Sequence, residues 1–372
     1  MRAILSSCLV FSLLAACAPT VALRFAPEAA AVGDTQEGFF ATTRKDDGQG
    51  DPFSYERSAQ VRYGRFDVSI PPNREPGSLP LPPREGAVDP RKHMLALGAT
   101  SYDARSFRQA VAQQFRDRRK GAREAVVFVH GYNNNFASGL YRFAQLSHDL
   151  EIEGVQVQYS WPSRNSVLGY AYDRDSVLFA RDGLENLLEE LVAAGADRVI
   201  IVAHSMGSQL TMETLRQIAH KRNGKVMSSL AGVVLMSPDI DVSVFRTQAR
   251  GIGRLPQPFV VLSSPRDKAL TVSALISRDE DRLGNLTDVK KLEGLEVMLV
   301  DVRAFNVGDG HFNAATSPAL IQLLSKAGDI ETALAADARA RVGLLPGAVL
   351  SVQGATQVIL SPVLRPGERI GG

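Results

Sequence analysis

A serine set among small residues, where an apolar run gives way to a helical pattern, is the arrangement in this sequence best suited to chemistry. The β-branched run Val199-Ile200-Ile201-Val202 reads as a buried strand, and Ala203-His204-Ser205-Met206-Gly207 follows it directly. A sharp strand–turn–helix of this kind lifts a serine hydroxyl clear of the backbone, and only small side chains fit two positions to either side. Ala203 stands where glycine is usual and adds one methyl group. Ser205 is the candidate nucleophile, and the chemistry it could perform is acyl transfer through a covalent intermediate.

Such a serine needs a base, and the chain offers six histidines. His204 adjoins Ser205 and points elsewhere, His148 and His220 fall in polar helical stretches, and His93 lies upstream of the core. His130 belongs to another motif, which leaves His311 in the loop Asn306-Val307-Gly308-Asp309-Gly310-His311-Phe312-Asn313, after the last strand candidate. The orienting acid should fall between nucleophile and base in chain order. Asp267, after Phe259-Val260-Val261-Leu262, is favoured because the penultimate strand is the commoner home of that acid, and Asp239, after Ser237-Pro238, is the alternative. An oxyanion hole needs two backbone donors. The N–H of Met206 is one, and the N–H of Tyr132, in Val129-His130-Gly131-Tyr132-Asn133, is the other.

The elements that must position these groups follow from periodicity. Apolar runs at residues 125–129, 155–159, 199–202, 232–236, 259–262 and 297–300 alternate with helical patterns near 136–153, 175–194 and after Ser205. Such alternation predicts an α/β fold, a mostly parallel sheet with helices on both faces. The catalytic domain is expected over 107–330, preceded by a Pro/Gly-rich extension over 38–106 that packs on the core, with a strand or hairpin at 60–70. Residues 331–372 read as a C-terminal tail without an assigned role. The segment 161–175, which holds the only tryptophan, reads either as a lid over an acyl pocket or as a packed connecting loop.

A chain of 372 residues that is 45% hydrophobic can bury a full core, and a net charge of +2 gives no support for nucleic-acid binding. Arg2 precedes an apolar stretch over 3–16, too short to span a bilayer but suited to a signal peptide. Leu14-Ala15-Ala16-Cys17 resembles a bacterial lipobox, which implies cleavage before Cys17 and lipid attachment to it; an ordinary signal peptide is the alternative. Residues 17–37 then serve as a flexible tether, and the mature protein is exported to the cell envelope, outer membrane or periplasm. Cys8 leaves with the signal, so neither a thiol nucleophile nor a cysteine zinc site is expected, and no metal or organic cofactor is called for.

With these residues in place, the chain resembles a largely uncharacterised bacterial family of esterase- and lipase-like α/β hydrolases. The matching pieces are Phe39-Phe40-Ala41-Thr42-Thr43-Arg44, Val61-Arg62-Tyr63-Gly64-Arg65, Ser69-Ile70-Pro71-Pro72, Val129-His130-Gly131-Tyr132-Asn133, Ser160-Trp161-Pro162-Ser163, the elbow, and Ser237-Pro238-Asp239-Ile240-Asp241. The resemblance implies an α/β-hydrolase fold, a triad on Ser205, His311 and Asp267, and no known substrate; the acyl-transfer reading itself calls for a small-molecule or lipid acyl substrate. The alternative function is a non-catalytic envelope scaffold or binding protein that keeps the fold without its chemistry.

Overall fold

Strands buried on both faces must be apolar on both, and the β-branched runs of this chain meet that demand. The computed structural model describes residues 21–49, 51–277, 282–305, 316–317, 347–352 and 355–360. In chain order the main elements are β1 (Asp34–Gln49), β2 (Asp51–Ile70), β3 (Leu95–Tyr102), α1 (Ala104–Gln114), β4 (Glu124–Val129), α2 (Phe136–Asp149) and β5 (Val155–Ser160). Then come α3 (Tyr170–Ala193), β6 (Arg198–His204), α4 (Met206–His220), α5 (Gly224–Ser229), β7 (Leu230–Met236), α6 (Val242–Ile252) and β8 (Phe259–Ser263). The last are α7 (Lys268–Ser277), β9 (Val297–Asp301), β10 (Gly347–Val352) and β11 (Ala355–Leu360).

Among the described residues, eleven strands join one sheet in the order β10-β11-β9-β8-β7-β6-β4-β5-β1-β2-β3. The run from β11 to β1 is parallel throughout, while β2, β3 and β10 add antiparallel pairings at the two edges. Period-2 alternation divides each central strand between two cores. Val127, Val129, Ile201 and Ala203 pack with α1, α3, α4 and α6, whereas Phe128, Val260 and Leu262 pack with Phe143 and Leu146 of α2. In α3, Val177, Ala180, Leu184, Leu187, Leu188 and Leu191 are fully buried at helical spacing, and each leucine so buried contributes about 1.5–3 kcal/mol.

Three parts differ from the sequence expectation. Residues 38–106 do not merely pack on the sheet; they supply β1, β2 and β3, and β1 pairs with β5 through Phe39↔Val157 to Thr42↔Ser160. Residues 21–33, expected within a flexible tether, are docked: Leu23, Ala26 and Ala29 are buried, and Arg24 donates to the carbonyls of Pro83, Arg84 and Gly86. An Ala/Pro-rich segment can bury small side chains at little entropic cost, which composition alone does not reveal. The tail over 331–372 contributes β10 and β11, and β11 pairs in parallel with β9, so β9 is not the last strand. The signal segment 1–16 and Cys17 lie outside the described residues. Among the described residues no helix is long and apolar enough to cross a membrane.

Candidate active site

Ser205 stands between β6 and α4 with φ 51° and ψ −122°. A non-glycine residue in that region is strained by about 1–3 kcal/mol and persists only where its surroundings fix it. Three backbone bonds do so here. The N–H of Ser205 donates to Met236 O at 2.9 Å, and its carbonyl accepts from Ser208 at 3.0 Å and from Asp239 at 3.3 Å. Ser205 occupies the N-cap position of α4, yet its hydroxyl makes no capping bond. Serine at an N-cap ordinarily gives its oxygen to the first turn, so this hydroxyl is withheld from the helix.

The end of β4 lies against the elbow, and two glycines make the approach possible. A Cβ at Gly207 would stand 2.3 Å from His130 O, and one at Gly131 would stand 2.9 Å from the Cβ of Ser205. The chain after Gly131 is thereby held beside Ser205. Met206 is the first residue of α4, and the first N–H groups of a helix have no intrahelical acceptor. Met206 thus opens the helix after the serine, and Tyr132 follows the glycine that approaches it.

Tyr132 is anchored through its phenol, which donates to the carbonyls of Ser166 and Val167, and its ring meets Tyr170 edge-on at 5.6 Å. Burial raises its phenolic pKa to about 12. The segment expected as lid or packed loop divides in two. Trp161 is fully buried, stacked on His130 at 5.0 Å and donating to His130 O at 2.7 Å, whereas Leu168 is 89% exposed. Its end is already helix, because α3 begins at Tyr170 rather than near Asp175.

The two acid candidates have different surroundings. Asp239 binds on both oxygens: Ser273 donates to Oδ1 at 2.7 Å, Tyr170 donates to Oδ2 at 3.1 Å, and the buried Arg282 stands 3.5 Å away. Asp267 is fully buried after β8 and accepts the N–H of Leu270 at 3.0 Å in the first turn of α7. The candidate base, His311, lies outside the described residues.

A second serine–histidine pair, invisible in the sequence, involves Ser160 and His130, with Oγ and Nε2 3.5 Å apart. Its surroundings do not suit catalysis. Both residues are buried, and the Ser160 hydroxyl accepts from Arg44 Nε at 3.0 Å. Burial, reinforced by the Arg44 guanidinium, pushes the His130 pKa down to about 3, so the ring is neutral and a poor base. Arg44 and Asp173, which sequence reasoning passed over, are both fully buried around this loop. The sequence carried Arg44 only as the end of the segment Phe39-Phe40-Ala41-Thr42-Thr43-Arg44, with no role attached to it. Among the described residues no cluster of His, Cys, Asp and Glu could hold a metal ion.

A parallel sheet in this order, with a strained serine at the carboxyl end of a central strand, defines an α/β-hydrolase fold. The chain belongs to the family described as alpha/beta hydrolase of unknown function (DUF900), which matches residues 104–327. The uncharacterized protein alr1448 of Nostoc sp. is 25% identical over 130 residues, a match covering 28% of this chain and 34%, about a third, of that relative. Among solved structures, lipase B of Aspergillus fumigatus is similar with a TM-score of 0.37 at 15% identity, covering 56% of this chain and 52% of that one. Dienelactone hydrolase from Anabaena variabilis gives a TM-score of 0.39 at 12% identity, covering 78% of this chain and 96% of that one. An inhibited esterase B from Lactobacillus rhamnosis gives 0.32 at 14% identity, covering 82% and 93%.

Proposed function

We propose that this protein is a serine hydrolase that cleaves a carboxylic ester or a related acyl bond. Ser205 Oγ attacks the acyl carbon while His311 takes its proton, and the N–H groups of Met206 and Tyr132 hold the oxyanion. His311 returns the proton to the departing alcohol, leaving an acyl-enzyme. Water, deprotonated by the same histidine, then releases the carboxylic acid and restores Ser205. Asp267 orients the histidine; this choice over Asp239 is supported by its full burial directly after β8, at the start of α7. The observation that carries the reading is the strained Ser205 backbone with its hydroxyl withheld from capping.

The reading includes export and lipid attachment at Cys17, which puts the enzyme at the bacterial cell envelope with access to small-molecule or lipid acyl substrates. Cys17→Ser should move the protein from the membrane fraction to the soluble one; unchanged fractionation would defeat the anchor. The activity is tested by a fluorophosphonate probe on the purified protein. Labelling should vanish in Ser205→Ala and collapse in His311→Ala. A folded parent that does not label would defeat the hydrolase reading and favour the scaffold.

A further inference from the structure

Building on the serine-hydrolase reading, we infer that His130 and Asn134 aim the Tyr132 N–H at the oxyanion, and that Arg44 and Asp173 are buried positioning residues that hold both in place. The planarity of the peptide bond provides the first link. In a trans peptide the C=O of one residue and the N–H of the next point in opposite directions, so fixing the first aims the second. The Gly131 carbonyl accepts from the Asn134 side-chain amide at 3.2 Å, and His130 Nδ1 stands 2.8 Å from it, donating in the tautomer that carries the proton on Nδ1. The same Asn134 amide donates to Tyr132 O at 2.9 Å. Both carbonyls flanking the Tyr132 N–H are therefore fixed, and its direction with them.

The second link is what holds Asn134 and His130. Asn134 O accepts from Arg44 Nη2 at 2.7 Å, and Asn134 N–H donates to Ser163 Oγ at 3.1 Å. Ser163 Oγ in turn donates to Asp173 Oδ2 at 2.6 Å. Asp173 also accepts the N–H of Asn133 at 3.4 Å and of Arg164 at 2.7 Å. Arg44 Nη2 lies 3.5 Å from His130 Nε2, and Arg44 Nη1 donates to Ser163 O at 3.1 Å. Asn133 sits between these anchors at φ 57°, a backbone state that asparagine tolerates and larger residues resist.

Stability alone is a poor reason to bury these charges, since well-packed apolar side chains of similar volume often stabilise as well or better. Charged groups differ in giving direction, because each fixes a particular peptide plane in the loop after Gly131. Arg44 comes from β1, Asp173 from α3 and the neutral Ser163 between them from the loop after β5, so the arrangement also accounts for Arg44 in the Phe39–Arg44 segment and Ser163 in the Ser160–Ser163 segment. The triad uses neither segment: Ser160–Ser163 lies within the family match over residues 104–327, and Phe39–Arg44 precedes it.

The test uses p-nitrophenyl butyrate turnover and fluorophosphonate labelling of the full chain, with thermal melting as a control for folding. Asn134→Ala, Arg44→Met and Asp173→Asn should each lower kcat about 10- to 100-fold, as misdirecting an oxyanion donor does, with KM changed less than about threefold. Asn134 is only part-buried, so its variant decides the matter if the other two do not fold. A folded Asn134→Ala with parental kcat, or one that raises KM alone, would overturn the inference while leaving the hydrolase reading intact. Parent protein that neither labels nor turns over the ester would remove both.

Discussion

Two buried aspartates flank the ends of α2, and their surroundings push them in opposite directions. At its C-terminal end, burial works against ionisation of Asp149, but His148, Arg74, the N–H of Gly77 and Gln145 outweigh it and hold the carboxyl well below the usual range. At its N-terminal end, Asp173 takes Ser163 and two backbone N–H groups, with the Arg44 charge acting from farther off, and burial wins, raising its pKa. Asp149 fastens residues 74–77 to α2 through a direct ion pair with Arg74. Asp173 instead orders backbone beside the candidate site. A carboxylate paired with a guanidinium favours its charged form and holds elements together. One surrounded by neutral donors gives little of that stability and mainly dictates geometry.

The largest expected effect is at the site end. Gly207→Ala places a Cβ against His130 O, and separating β4 from the elbow should abolish fluorophosphonate labelling and lower stability by about 3 kcal/mol. Retained labelling would show that the close approach is dispensable. At the far end, Asp149→Asn leaves the buried Arg74 uncompensated and should cost about 3 kcal/mol in urea unfolding. Its kcat per folded molecule should stay parental. Asp173→Asn should show the reverse balance, with a stability cost on the order of 1 kcal/mol beside the loss of kcat already described. If Asp173→Asn proved the less stable of the two, the division between holding and aiming would fail.

Acid unfolding sharpens the same contrast. Asp149 has a folded pKa below its unfolded value, so its contribution is full above about pH 4 and is lost as pH falls through the folded pKa. The stability gap between parent and Asp149→Asn should therefore close on acidification. Asp173 has the opposite shift, so its ionised form weakens the fold above its raised pKa, and protonation relieves that as pH falls. Its gap to Asp173→Asn should move the other way, in favour of the parent. The smallest effect belongs to the surface. Leu168→Ser, at an exposed position, should change stability by less than about 0.5 kcal/mol, and a melting curve outside that range would mark a packed role.

The legible parts of this protein were those set by neighbours in sequence. The run Val199 to Val202 and the small residues around Ser205 foretold the strand, the sharp turn and the helix, because backbone strain and apolar period are local properties. The six predicted central strands are β4 to β9, where buried β-branched side chains leave few alternatives. The strand expected at residues 60–70 forms part of β2, but its length and the place of β1 beside β5 were hidden among prolines and glycines. His130 reads in sequence as a strand-end histidine, and only its neighbours make it neutral and structural.

The sequence by itself determined the strand–helix alternation, the elbow and the identity of its serine, since φ, ψ and side-chain period depend on residues a few positions apart. Tertiary structure decided the rest. It inserted β1 into the parallel sheet, brought β11 alongside β9, and joined Arg44 to Asn134 across 90 residues and to Ser163 across 119. Contacts at that separation depend on which strands become neighbours. That choice is made by burying the whole sheet at once, and no local pattern encodes it.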